Sequence, residues 1–142
     1  MEKLDWHSCY EIGVKFIDDD HKKILALMRR LYAAVEQGDC DSCLLLSNEI
    51  LVETAAHFMR EEAYLKKIRY PDLEEHIRYH MNLLVQAGTF KRICRNTRSE
   101  QDLENCLNAM EELLVDDVLV GDIRFKSFLE YEGHIRPSRY GG

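Results

Sequence analysis

The chain has 142 residues, a length typical of one domain that can bury its own hydrophobic core. Its 19 Lys and Arg residues against 26 Asp and Glu residues give a formal charge of −7, which argues against binding to nucleic acid or to acidic membrane surfaces. The sequence lacks a run of about 18 apolar residues for a membrane span and lacks the apolar stretch of a signal peptide, so we expect a cytoplasmic protein. Five cysteines, an odd number, indicate free thiols in a reducing compartment.

Hydrophobic periodicity predicts four helices after an N-terminal arm of residues 1–17. The first helix covers about 18–37 and ends before Gly38, and the second covers 41–68 and ends near Tyr70-Pro71. The third covers 71–94 and the fourth 99–120, followed by a short C-terminal extension, 123–142. Short loops make consecutive helices antiparallel neighbours. We therefore predict one all-α domain, an antiparallel up-down-up-down four-helix bundle.

Two pairs of coordinating residues stand out because their members are four positions apart. His57 precedes Glu61 by four residues, and His76 precedes His80 by four. On a helix such residues project from one face about 5 to 6 Å apart, which allows both to bind one metal ion. The turn between the second and third helices would bring the two pairs face to face.

The other two helices offer donors of the same kind. His21 lies near the start of the first helix and Asp122 near the end of the fourth. Imidazoles together with carboxylates suit iron, manganese or zinc, whereas calcium or magnesium would favour an all-oxygen set. The residue pattern thus predicts a metal site inside the bundle.

Other metal and thiol sites fit the sequence less well. The segment His76 to His80 has the spacing of a zinc protease motif but carries Ile77 where the glutamate base belongs. No Glu-x-x-His pair of the ferritin-like kind is present. Cys40 and Cys43 form a single CxxC without the second pair of a structural zinc site. Cys43 could have a lowered pKa near a helix N-terminus, but two incidental loop thiols are the simpler interpretation.

The combined motifs closely resemble those of the hemerythrin family, especially its bacterial single-domain members. The resemblance covers nearly the whole chain and rests on Trp6…Tyr10…Gly13-Val14…Ile17-Asp18-x-x-His21-Lys22, His57-Phe58-x-x-Glu61-Glu62 and Tyr70-Pro71…His76-x-x-x-His80. It implies a four-helix bundle around two iron ions in an Fe-O-Fe centre that binds O2 reversibly.

The resemblance also implies a role for each ligand. His21 and His57 would be terminal ligands of the iron with an open coordination position, and His76 and His80 would bind the other iron. Glu61 and Asp122 would bridge the two.

The fourth helix departs from the family pattern. Family members usually have Trp-Leu-x-x-His-Ile-x-x-x-Asp, whereas this chain has LLVDDVLVGD over residues 113–122. Aligning on Asp122 puts Asp117 at the position of the fifth histidine ligand. His7 in the arm and His134 beyond Asp122 are expected to lie outside the metal shell.

Asp117 as a ligand would change the redox chemistry of the centre. A third carboxylate neutralises the remaining positive charge of the diferrous centre and favours the ferric state, so O2 should be released poorly. Two alternatives remain open. Asp117 could be too short to reach the metal, or it could be a solvated helix residue beside a looser pocket.

Four apolar residues at helical spacing would keep water from the open iron. They are Ile24, Phe58, Leu114 and Leu119, of which Leu119 occupies the position where the family commonly gates the O2 pocket. The first functional hypothesis is an O2 carrier, store or scavenger. The second is a di-iron oxidase or peroxidase supplied by a reductant protein. The third is a module that senses O2, iron or redox state.

Overall fold

The computed structural model describes residues 4–96, 100–115 and 121–135, and this part of the chain contains no strand. Its α-helices are α1 (Lys15–Glu36), α2 (Cys40–Lys67), α3 (Leu73–Asn96), α4 (Glu100–Glu112) and α5 (Lys126–Tyr131). Helix α1 packs against α2, α2 against α3, and α3 against α4. The Tyr32 hydroxyl of α1 lies 2.9 Å from Asn108 Oδ1 and 2.8 Å from Glu111 Oε2 of α4, which joins the first helix to the fourth. The predicted all-α bundle is confirmed.

The start of α1 is set by Asp18. Its carboxylate accepts hydrogen bonds from the backbone N–H groups of Ile12 at 2.8 Å and Gly13 at 3.0 Å, which ties the arm to the first helical turn. Gly13 has φ of 97°, a conformation that favours glycine. Helix α1 consequently begins at Lys15, before the position 18 that the sequence predicted, and the three consecutive aspartates lie inside the helix.

The bounds of α2 follow from its flanking residues. Asp39 is the N-cap, and its side chain accepts a hydrogen bond of 3.1 Å from the backbone N–H of Ser42. After Lys67 the chain reverses through Arg69, whose φ is 59°. Pro71 and Asp72 form a turn, so α3 begins at Leu73 and not at the predicted position 71. This compact connection places α2 and α3 side by side.

The fourth helix departs from the regular geometry that the sequence predicted. Helix α4 is regular to Glu112 and widens into a π-helical turn over residues 113–115. Residues 116–120 lie outside the described part of the chain. Asp122 then lies on a separate 3-10 helix, Gly121–Phe125. The predicted helix over 99–120 is therefore irregular at 113–115, and its predicted last part, 116–120, stays a prediction.

The C-terminal extension carries helix α5, which the sequence analysis did not predict. Phe125 and Leu129 are fully buried there. They pack with Ile12, Ile17 and Leu65 in a second hydrophobic cluster, separate from the larger cluster of the bundle. Burial of these side chains accounts for the helix, because a six-residue helix is marginal without tertiary contacts.

The two clusters meet the histidine-rich region from different sides. The ring of Phe58, from the larger cluster, is stacked on His80 with centroids 3.8 Å apart. The ring of Phe125, from the smaller cluster, meets His76 edge-on with centroids 5.4 Å apart. The histidines are thus held between two apolar regions. Within the described residues, no helix is both long and apolar enough to cross a membrane.

Candidate metal centre

The structure brings together six of the seven predicted metal ligands. Each side chain is at least 95% buried, and the donors come from α1, α2, α3 and the 3-10 helix after α4. They are His21, His57, Glu61, His76, His80 and Asp122. The seventh predicted ligand, Asp117, lies outside the described residues.

The donors form two adjoining groups that share both carboxylates. In the first, His21 and His57 accompany Glu61 and Asp122, and in the second, His76 and His80 accompany the same two acids. Within each group the donor atoms all lie within 4.8 Å of one another. Such spacing fits one cation per group, hence two cations that share their carboxylates.

The carboxylate oxygens are divided between the groups. Glu61 Oε2 lies 3.0 Å from His57 Nε2, whereas Glu61 Oε1 lies 2.7 Å from His76 Nε2. Asp122 Oδ2 lies 2.8 Å from His21 Nε2, whereas Asp122 Oδ1 lies 3.5 Å from His76 Nε2. Each acid thus presents one oxygen to each histidine pair, as a carboxylate bridging two metal ions would.

Hydrogen bonding alone does not satisfy these atoms. Glu61 Oε2 and His80 Nε2 are buried without a hydrogen-bond partner, although His57 Nε2 lies 3.0 Å from the former and Glu61 Oε1 lies 3.1 Å from the latter. Unpaired buried polar atoms are costly, so donors that converge on a shared point fit metal binding better than a network of protons.

The two acids determine which groups carry protons when metal is absent. Burial alone would lower the pKa of His57, but the neighbouring carboxylates of Asp122 and Glu61 outweigh burial and raise this pKa to about 10. The same balance raises the pKa of His76 to about 9. Burial alone would raise the pKa of Asp122, but its contacts with Glu61 and neighbouring histidines hold that pKa well below its usual value. Metal must therefore displace protons from the histidines.

The predicted wall residues lie in the larger hydrophobic cluster. Ile24, Phe58 and Leu114 are each at least 98% buried there. Phe58 contacts the site directly by stacking on His80. Leu119, the predicted gate of the pocket, lies outside the described residues. A role for these residues in O2 binding remains a proposal.

The residues that the sequence analysis placed outside the metal shell belong to neither donor group. His7 and His134 are both exposed. Cys43 is half-buried and packs against the larger cluster, and the Cys40 side chain is outside the described part of the structure. The structure therefore does not test the CxxC motif as a metal site.

Two carboxylates near the site were not assigned any role from the sequence. Asp20 Oδ2 lies 2.9 Å from His57 Nδ1, and Glu62 Oε2 lies 3.4 Å from His80 Nδ1. Both acids contact the ring nitrogen that faces away from the donor groups. Only the position of Asp20 next to His21, in a run of three aspartates, could have drawn attention to it.

An all-α bundle with two histidine pairs sharing two buried carboxylates defines a protein that binds two metal ions between its helices. The profile of the hemerythrin HHE cation binding domain family matches residues 12–120, most of the chain. The chain belongs to the hemerythrin family.

A bacteriohemerythrin of Stenotrophomonas maltophilia (strain R551-3) is one relative, 28% identical over 91 residues. The aligned region covers 64% of this chain and 60% of the relative, so the chain spans less than two thirds of the length of the relative. Family membership and the donor set together imply a di-iron centre.

Proposed function

We propose that this chain binds O2 at a di-iron centre and acts as an O2 carrier, store or scavenger. The observation that carries the proposal is the division of the Glu61 and Asp122 oxygens between the two histidine pairs. Membership of the hemerythrin family supports iron as the metal and O2 as the ligand. The iron pair, when bound, supplies the electrons and the open coordination position for reversible O2 binding.

The protein side chains divide the work within this proposal. His21 and His57 would hold the iron that keeps a position open, while His76 and His80 would hold the other. Glu61 and Asp122 would be shared by both irons, and their negative charge would offset the positive charge of two buried cations.

The surrounding apolar side chains keep the open position dry. Ile24, Phe58 and Leu114 exclude water through their burial. By the family resemblance, Leu119 stands at the position that commonly gates the O2 pocket. A dry pocket matters because water would promote the loss of bound O2 as superoxide, which leaves the iron oxidised and unable to bind O2 again.

Asp117 adjusts this function within the proposal. By the family resemblance it stands where the filled iron usually has a third histidine, and an anionic ligand there favours the ferric state. The wild-type protein should therefore oxidise more readily than a typical O2 carrier. The same substitution favours a second candidate, a di-iron oxidase or peroxidase that uses a reductant protein.

The first experiment is metal analysis of protein produced in iron-replete cells, followed by absorption spectra of the reduced protein before and after O2. We expect two irons per chain and an O2-dependent band that disappears when O2 is removed. Protein that contains one zinc and no iron would refute the proposal. Steady consumption of O2 or peroxide in the presence of a reductant would favour the enzyme over the carrier.

A further inference from the structure

The outer nitrogen of His57 is held by an ion pair between α1 and α2. Asp20 Oδ2 lies 2.9 Å from His57 Nδ1. The Arg60 guanidinium contacts both oxygens of Asp20, with Nε 3.0 Å from Oδ2 and Nη2 2.9 Å from Oδ1. His57 and Arg60 are three residues apart on α2, so they present neighbouring side chains to one carboxylate of α1.

This contact selects a tautomer of the imidazole. An ionised carboxylate can only accept a hydrogen bond, so the proton of a neutral His57 must be on Nδ1. The lone pair is then on Nε2, which lies 3.0 Å from His21 Nε2 within the first donor group. The Asp20 contact thus leaves Nε2 free to bind metal and holds the ring in the plane that directs it there.

Arg60 keeps Asp20 in place. The Asp20 side chain is 17% exposed and could turn towards solvent, whereas the two-point contact with Arg60 holds both of its oxygens. The His57 ring is fully buried beneath this pair. Arg60 therefore acts on the metal centre through Asp20, without approaching the donors itself.

The outer nitrogens of His80 and His21 are held less firmly than that of His57. His80 Nδ1 has the longer contact with Glu62, 3.4 Å, and His21 Nδ1 is buried without a hydrogen-bond partner. In the first donor group, which contains His21 and His57, the described hydrogen bond that orients a ring from its outer nitrogen is therefore the one to His57.

We propose that Asp20, held by Arg60, is a positioning residue that fixes the tautomer and orientation of His57 and so determines how firmly the His21 and His57 half of the centre retains its metal. This inference rests on the proposed di-iron function for the identity of the metal. The interaction requires only a divalent cation at the first donor group. It can therefore be tested with zinc as well as iron.

A second ion pair between the same helices provides a matched control. Lys23 Nζ lies 2.9 Å from Glu53 Oε1, also joining α1 to α2, and neither residue belongs to a donor group. Asp20→Ala can therefore be compared with Glu53→Ala, and Arg60→Ala with Lys23→Ala. Each comparison removes the same charge from an ion pair between the same two helices.

The first readout is the rate at which a ferrous chelator removes iron from the full chain. Iron should leave in two phases, one for each half of the centre. We expect the rate constant of the faster phase to be about 10- to 100-fold higher in Asp20→Ala than in wild type. Arg60→Ala should show a smaller increase, and the two controls should show none. Asp20→Asn, which keeps the shape and loses the charge, should fall between wild type and Asp20→Ala. If Asp20→Ala does not fold, Asp20→Asn replaces it in the same measurement.

The second readout is the His57 tautomer, measured by nitrogen-15 NMR on zinc-loaded protein. Wild type and Glu53→Ala should show a protected proton on Nδ1, and Asp20→Ala should lose that protection. Equal iron release and an unchanged Nδ1 signal in Asp20→Ala and Glu53→Ala would overturn the inference. A wild-type protein without iron would refute the di-iron function instead, and the zinc experiment would still decide the role of Asp20.

Discussion

The Nε2 atoms of His21 and His57 face each other at 3.0 Å, although they belong to different helices and neither ring is exposed to solvent. Two neutral rings in this arrangement need a shared proton or a shared cation. The Asp20 contact places the proton of a neutral His57 on Nδ1, which leaves the Nε2 lone pair available to bind a cation. This relationship leads to predictions about metal, protons and the helices that carry the donors.

Removal of metal should destabilise the bundle. The donors of each group come from separate elements, so they bind one cation only when those elements are assembled. At a free metal concentration about 100 times Kd, the stabilisation is about 2.7 kcal/mol for one site. We expect chelation to lower the Tm measured by calorimetry. This shift should persist in His134→Ala and shrink in His21→Ala, and coincident melting curves for metal-free and metal-loaded wild type would contradict the prediction.

Glu61→Gln should weaken both halves of the centre. The substitution removes the charge that the two histidine pairs share, and it leaves one oxygen where the carboxylate had two. We expect iron per chain to fall by more than half in metal analysis. Glu62→Gln is the matched control, because Glu62 contacts only the outer nitrogen of His80 at 3.4 Å. Equal iron content in the two variants would show that Glu61 does not bridge.

The metal-free protein should lose stability at alkaline pH. The pKa values of His57 and His76 are raised from 6.5 to about 10 and about 9 by the buried carboxylates. A raised pKa in the folded state stabilises that state fully below 6.5, and the contribution is lost as pH rises through 9 to 10. Urea unfolding of the metal-free protein should show a falling free energy between pH 7 and pH 10.

The metal-loaded protein is the control for this pH dependence. Its histidine nitrogens bind metal in place of protons, so the decline should be much smaller. A decline of the same size in both forms would mean that other groups cause it.

Gly121→Ala should disturb the residue that follows it. A Cβ at position 121 would lie 2.8 Å from the Tyr79 hydroxyl and 3.1 Å from Tyr79 Cε1, which is too close without movement of the ring or of the 3-10 helix that carries Asp122. We expect weaker iron retention and a loss of about 1 to 3 kcal/mol in unfolding free energy.

Gly88→Ala is the control for this substitution. Gly88 lies inside α3 and has open space around its Cα, so alanine there should stabilise the helix by about 0.5 to 1 kcal/mol. If both glycine variants retain iron like wild type, close packing at Gly121 does not position Asp122.

Asp117→His should slow oxidation of the reduced protein. By the family resemblance the change replaces an anionic ligand with a neutral one, which raises the reduction potential of the filled iron. Stopped-flow absorption after mixing reduced protein with O2 should show a longer-lived O2-bound form than in wild type. Asp117→Ala should differ from both, because it opens a coordination position and loosens the metal. Equal decay rates and iron contents in wild type and Asp117→His would show that Asp117 does not tune the centre.

The parts of the fold and site that depend on local spacing could be predicted from the sequence. His57 with Glu61 and His76 with His80 are visible because residues four apart share a helix face. The Tyr70-Pro71 turn predicted that the two helices carrying these pairs are adjacent. His21 and Asp122 could be named as candidate donors from their places near helix ends, but their individual ligand roles came only from the family resemblance, since nothing local links them to the other donors.

The features that depend on long-range packing could not be predicted. Contact between Asp20 and His57 requires the relative rotation of two helices, which the sequence of neither helix specifies. Helix α5 forms because Phe125 and Leu129 are buried against the arm and α2, so its own sequence was insufficient. The π-helical turn at 113–115 also departs from the period of 3.6 residues per turn on which the prediction of a regular fourth helix rested.

The contact between His21 Nε2 and Asp122 Oδ2, 2.8 Å long, joins residues 101 positions apart in the chain. During synthesis, α1, α2 and α3 emerge from the ribosome with five donors before Asp122 is made. Neither donor group is complete at that stage, and contacts of such long sequence separation form late in folding. Iron is therefore expected to bind after the bundle has formed. Chains that have not yet been synthesised as far as Asp122 should bind this reactive metal weakly.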